Sequence, residues 1–208
     1  MTTYVDIEGV KDAAEYFKHL PDLTKRAARL AINTVINRGG MKAIKDQMYR
    51  EINFPKGYLN GDRLRVSKLA KEEDLEGIIV GRKRATSLAR FVAPGTPLGS
   101  ARGRTVKVTV RNGGATYLRN AWLVRLKAGA KSITEDNFNI GLAVRVRPGD
   151  SLKGKKTAHQ AWLNQAHTVA LLYGPSVDQV FRDVAEDTGP TVLKLVSVEF
   201  LRQFERLS

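Results

Sequence analysis

The sequence predicts an α+β fold: a long N-terminal helix and C-terminal helices packed on an antiparallel β-sheet. Three observations carry this. Apolar residues recur at steps of three and four from Leu23 to Ile52. Between residues 63 and 173 the apolar runs are short and bounded by Gly, Pro, Asn or charge. From 176 to 207 helical spacing returns. With 208 residues, 42% of them hydrophobic, the chain suits one domain over 1–208. That domain reads as helical over 9–52, mainly β over 63–173 with long basic loops, and helical over 176–207.

Residues Val10 to Leu20 read as a short helix ended by Pro21. A long helix follows, with Asp22 as its N-cap and Leu23, Ala27, Leu30, Ala31, Val35, Met41, Ile44, Met48 and Ile52 on its apolar side. Gly39-Gly40 weakens it by about 1 kcal/mol per Gly relative to Ala, and the reading carries one helix through. "NFPKGYLNGDRL" (53–64) is a loop. The strands are "LEGIIVG", "LARFVA", "RTVKVTVRN", "AWLVRLK" and "IGLAVRVRP". Val106, Val108 and Val110 face one way, and Lys107 and Thr109 the other. Arg145 and Arg147 point outward by the same alternation, which places basic charge on the solvent side of a half-buried sheet. The connections 93–104 and 128–138 have little to bury, so they read as functional or as ordering on binding.

"LLYGPSVDQVF" (171–181) ends an apolar run at Gly174-Pro175 and opens a helix. Gly174 supplies backbone freedom and Pro175 fixes its φ. Ser176 and Gln179 have capping-box spacing, and Pro175 and Val180 that of a hydrophobic staple. Asp178 occupies the first turn, where its carboxylate makes the helix N-terminus less inviting to an anion. The stretch therefore reads as a structural corner, with the ring of Tyr173 buried as its anchor and the hydroxyl hydrogen-bonded. Gly189-Pro190 breaks the helix and a second begins. There Leu193, Val196, Phe200, Phe204 and Leu207 form one stripe that must bury against the sheet or a neighbouring subunit.

Net charge is +14. Gly77 to Lys131 holds twelve Lys and Arg in 55 residues and no acid. This points to a polyanionic or acidic neighbour, and Arg82, Lys83, Arg84, Arg102, Arg104, Lys107 and Arg111 are the candidates to face it. Phe91, Tyr117 and Trp122 are too few for a base-stacking platform. No cysteine is present, which excludes disulfides, thiol nucleophiles and Cys-based zinc sites and fits a reducing compartment. "GDSLKGKKT" (149–157) approaches a P-loop, but Lys156 stands where a hydroxyl must hold Mg²⁺. His19, His159 and His167 lack metal spacing, and the carboxylates of "EED" (72–74) read as a solvated face. No nucleophile elbow is present. The expectation is a protein that is not an enzyme and takes no metal or cofactor. It is expected to have no membrane span and to be made in a cytoplasm.

The order of features resembles the minor tail protein Z family of tailed bacteriophages, the tail completion proteins. The resemblance runs from "ARLAINTVINRGGMKAIKDQM" through "LRVSKLAKEEDLEGIIVGRKRATSLARF" and "NAWLVRLKAG" to "LLYGPSVDQVF". Ala121-Trp122 to Gly129 matches the family's strand ending in Gly, with Trp where Phe is commoner. Tyr173 to Val177 matches its Tyr-Gly-Pro-Ser-x motif. The 128–170 stretch departs from the compact family pattern. The resemblance implies a structural protein of the head–tail junction, in the neck or tail of the virion. It implies a homo-oligomeric ring, hexameric in the family, around the DNA path. Other neck, connector or tail proteins would be its partners, and genomic DNA through phosphate contacts. The alternative is a monomeric, sequence-nonspecific nucleic-acid-binding protein.

Overall fold

The computed structural model describes residues 21–99, 105–126, 140–146, 160–163 and 168–208. Arg102, Arg104, Arg147, the three histidines, the near P-loop, the expected helix before Pro21 and the 128–138 connection lie outside them. The elements are helices and antiparallel strands, an α+β fold. The chain divides into two compact units. One holds Met1–Lys45, Arg65–Val80 and Val184–Ser208; the other holds Asp46–Leu64 and Gly81–Asp183.

The N-terminal helical pattern is two helices, α1 (Asp22–Asn37) and α2 (Gly39–Glu51), where one continuous helix was expected. Arg38 leaves helical geometry at φ −128° and ψ −97°. Its N–H closes α1 on the Val35 carbonyl, and its own carbonyl accepts the Lys42 N–H that opens α2. Gly40 explains the join. A Cβ there would lie 2.9 Å from both Val35 Cγ1 and the Val35 carbonyl oxygen, so only glycine permits this approach. The cap of α1 is also corrected. Pro21 is the N-cap, its carbonyl accepting from Thr24 and Lys25, and Asp22 is the first helical residue, placed well for the dipole.

In the first unit, Ala27, Ala31, Val35, Ile36 and Ile44 are buried. Strands β1 (Leu64–Lys68) and β2 (Ile78–Gly81) pair as a ribbon. Asn33 fastens the ribbon's far end by donating to the Ala70 carbonyl at 2.9 Å and accepting its N–H at 2.8 Å. Lys68 bridges Asp74 and Glu76, and these two carboxylates raise its ammonium pKa above the ordinary lysine value.

The second unit holds a five-stranded antiparallel sheet. Its order is β3 (Ala85–Ser87), β9 (Val169–Ser176), β7 (Ile140–Arg145), β6 (Ala121–Arg125), with β8 (Gln160–Leu163) also on β9. Strands β4 (Thr105–Val108) and β5 (Thr116–Arg119) make a separate hairpin. Val106, Val108 and Val110 are buried and Lys107 is exposed, as alternation requires. β7 departs from the half-buried expectation, since residues 140–144 are buried on both faces and only Arg145 emerges. It lies between β6 and β9, and its second face is Gly141 and Ala143. A Cβ on Gly141 would meet Leu171 at 3.0 Å and Leu126 at 3.2 Å, so small residues let a layer close over that face.

"LARFVA" is not a strand. Ser87 Oγ accepts from the Ala89 N–H and turns Leu88–Phe91 into a 3₁₀ helix. Leu88, Ala89 and Phe91 are all buried, a pattern that alternation cannot produce.

The C-terminal helix α3 runs unbroken from Val177 to Leu207, with Pro190 inside it. The expected break at Gly189-Pro190 is absent. Pro190 is exposed and removes one backbone donor, and helix continues on both sides. Within the preceding turns, Thr188 Oγ1 donates to the Val184 carbonyl at 2.8 Å.

Candidate functional site

The corner at 171–181 is built differently from its first appearance in sequence. Strand β9 does not stop at Gly174-Pro175 but continues to Ser176. Ala85 pairs with Ser176 and Thr86 with Gly174, so Pro175 is the extra residue of a β-bulge and faces no partner. A bulge is where a strand accepts a residue with no N–H. Gly174 has no positive φ. Its requirement is space, because a Cβ would lie 3.1 Å from Leu88 Cδ2.

Both bonds of a capping box are present. The Gln179 N–H donates to Ser176 Oγ at 3.0 Å, and the Ser176 N–H donates to Gln179 Oε1 at 2.9 Å. The Asp178 N–H donates to the Arg82 carbonyl. Asp178 itself pairs with Arg182. Two first-turn donors are thereby taken up within the chain, which leaves this helix start ill suited to cradle a phosphate. Tyr173 is only half-buried, and no hydrogen bond of its hydroxyl is found among the described residues.

The buried tyrosine is Tyr58, in the 53–64 loop that sequence periodicity passes over. Phe54 stacks on its ring with centroids 5.3 Å apart. Three guanidinium groups gather around the same ring, with carbons 4.6 Å (Arg63), 5.0 Å (Arg90) and 5.7 Å (Arg82) from its centroid. Arg82 Nη2 donates to the Tyr58 hydroxyl at 2.6 Å, and the hydroxyl donates to Thr86 Oγ1 at 3.3 Å. Arg63 Nη1 donates to the Tyr58 carbonyl, and the Arg82 N–H donates to the Arg63 carbonyl. Tyr58, Thr86 and Arg63 are buried, and Arg82 and Arg90 half-buried. Arg82 Nε is itself buried and makes no hydrogen bond.

Gly81 sets the position of Arg82. A Cβ at 81 would lie 2.7 Å from Asp178 Cα and 2.8 Å from its nitrogen, so only glycine lets this strand pass the helix start.

The charges of the cluster converge. With all three carbons within 5.7 Å of one point, no two are more than about 11 Å apart. At an effective dielectric of about 20, each pair repels by about 1.5 kcal/mol or more before solvent screens the half-exposed members. The ring face returns about 0.5–2 kcal/mol per cation.

Of the residues marked from sequence, Arg82 enters this cluster. Lys83, Arg84, Lys107 and Arg111 are exposed and stand outside it. Asn112, next to Arg111, donates to the Tyr49 and Arg50 carbonyls at the end of α2. Arg90 belongs to the acid-free basic run but not to the candidate set, and Tyr58 and Arg63 belong to neither. The available signal was an aromatic pair, Phe54 and Tyr58, in a loop otherwise rich in turn residues.

Among the described residues the C-terminal stripe is only partly covered. Leu193 is 61% exposed and Phe204 36%, while Val196 and Phe200 are half-buried. The face turned inward carries Val184, Thr188 and Gln203 instead.

Among the described residues no group of three His, Asp or Glu stands close enough to hold a metal ion, and no helix is long and apolar enough to cross a membrane. Comparison with protein-family models, curated proteins and solved structures returned no match.

Proposed function

We propose that this chain is a structural virion protein of the head–tail junction, assembling as a homo-oligomeric ring with a basic side toward the DNA path. The observation that carries this is the set of exposed apolar side chains on α3. Leu193, Val198 and Leu201 are each about 60% exposed, and the Phe200 and Phe204 rings meet beside them at 5.9 Å. Large apolar side chains grouped on one helix favour burial against another protein surface. A second copy of the chain would provide that surface in a ring. The net charge of +14 supports a polyanion near the assembly. The resemblance to tail completion proteins supplies the particular setting.

The test has two arms. Light scattering of the parent and of Leu201→Lys reads self-association; an assembly well above 23 kDa that the substitution dissolves is expected. Electron microscopy of particles made without the chain is expected to show complete heads and tails that are unjoined. A chain that stays monomeric, together with normally joined particles in its absence, overturns the reading. A chain that stays near 23 kDa until nucleic acid is added would instead mark a monomeric nucleic-acid-binding protein.

A further inference from the structure

We infer that one face of the β4–β5 hairpin is a contact surface for the phosphate backbone of duplex DNA, met by Lys107, Arg111 and Arg119 with Tyr117 among them. The inference rests on the proposed reading only in that the chain meets DNA. It needs no ring, because every residue belongs to one compact unit. The strand register builds the face. Thr105 pairs with Arg119 and Lys107 with Tyr117, so these four side chains leave the hairpin on one side. The other side is closed by Val106, Val108 and Leu118, all buried. Exposure keeps alternating past the strand end, with Val110 buried and Arg111 exposed, which carries the same side on toward the turn. Tyr117 is 63% exposed. The three cations are open to solvent and, among the described residues, take part in no ion pair and no side-chain hydrogen bond.

The geometry selects the partner. From Thr105 to Arg119 the chain carries three basic residues and no acid. Glu51, whose carbonyl accepts the Asn112 N–H, pairs its carboxylate with none of the three. Arg119 stands level with Thr105, so the charges occupy the levels of residues 105, 107 and 111 along the ribbon. At about 3.3 Å per residue they spread over about 20 Å, roughly six base-pair rises of a duplex. A row of that length meets a repeating polyanion, whereas a single small anion would touch one cation. An acidic protein would need an apolar centre at the interface, and this face holds one ring. A lone ring cannot stack successive bases of a single strand, but a tyrosine hydroxyl donates well to phosphate. A two-stranded ribbon is also one of the shapes that the major groove admits. The tip is held before any partner arrives. Asn112 Nδ2 donates to the Tyr49 and Arg50 carbonyls at 2.6 and 2.8 Å. Asn53 Nδ2 donates to the Thr109 carbonyl at 3.2 Å, and the Asn53 N–H donates to the Val110 carbonyl at 2.7 Å. A face fixed in advance loses little entropy on binding. Phosphate contacts carry no sequence information, so binding is expected to ignore sequence.

The experiment uses the full chain, the single variants Lys107→Gln, Arg111→Gln and Arg119→Gln, and the triple variant. A charge-matched control replaces Lys42, Arg65 and Lys71 of the other compact unit with Gln. All of these side chains are exposed, so urea midpoints should match that of the parent. The readout is affinity for a 20-base-pair duplex at several salt concentrations. Each single variant should lower the logarithmic salt slope by about 0.9 and the triple by about 2.7, with the control unchanged. An unchanged slope in the triple variant overturns the inference. So does a parent that does not bind the duplex, while its light scattering still tests the ring separately. Equal losses in the triple variant and the control assign binding to net charge and overturn the hairpin. Tighter binding of a 20-base single strand, lost in Tyr117→Ala, overturns the duplex in favour of base stacking. Stronger competition by poly-glutamate than by DNA overturns nucleic acid as the partner.

Discussion

Replacing Tyr58 with Phe isolates the contribution of one hydroxyl to the second unit. The ring stays, so its stacking on Phe54 and its face toward the guanidinium groups remain. Two hydrogen bonds are lost. The bond from Arg82 at 2.6 Å is charge-assisted, a class that contributes about 1.5–3 kcal/mol, and the 3.3 Å bond to Thr86 belongs to the neutral class of about 0.5–1.5 kcal/mol. Thr86 is fully buried, so its hydroxyl cannot turn to water when its partner goes. The expected destabilisation is about 3 kcal/mol. With a urea dependence of about 2 kcal/mol per molar, the midpoint moves down by about 1.5 M. Both tryptophans, Trp122 and Trp162, belong to the unit that holds Tyr58, so their fluorescence follows the right transition. A double-mutant cycle with Thr86→Val should return a coupling of about 1 kcal/mol, because valine removes the group that would be stranded. A loss below about 0.5 kcal/mol for Tyr58→Phe, the range of ordinary surface changes, would refute the assignment of the hydroxyl as a buried junction.

Ser176→Ala should cost about 1 kcal/mol and speed amide exchange at Gln179, whose donor loses its acceptor; unchanged exchange would show that the cap contributes nothing. Gly81→Ala should cost about 1–3 kcal/mol by overpacking, since the new methyl meets the Asp178 backbone and not a movable side chain; a neutral result in urea denaturation would show that the backbones separate freely. Hydrogen bonds from Arg202, and secondarily from Gln203, hold the Glu199 carboxyl near pKa 2, below its ordinary 4.5. A carboxyl depressed on folding stabilises the fold above the unfolded value. That contribution is full above about pH 4.5 and lost as pH falls through 2. Carbon-detected titration of Glu199 should give a midpoint near 2 in the parent and a higher one in Arg202→Ala; equal midpoints would remove Arg202 as the cause.

Short-range patterns marked the helical segments and the strands β2, β4, β6 and β7, but not β1, β3, β5 or β8. Three- and four-residue spacing marked the helices, and the valines of β4 declared their buried face, because period alone sets which side chains share a side. The Ser176 and Gln179 spacing was legible for the same reason: a capping box closes within four residues. The helix interruption at Arg38 was not legible, since Gly40 matters there through its contact with Val35 and not through propensity. Continuity of α3 through Pro190 went against a local rule: the proline is exposed and removes a single backbone donor, and the helix runs on past it. Burial of β7 on both faces depended on its place between two strands, which periodicity does not encode. The arginine cluster is the clearest case. Residues 58, 63, 82 and 90 share no spacing rule, and the three guanidinium groups meet only because the 53–64 loop, the turn after β2 and the 3₁₀ helix after β3 fold around one tyrosine ring. Composition determined that the chain is basic; only the tertiary structure decided where like charges are forced together, because that depends on distances across the chain and not along it.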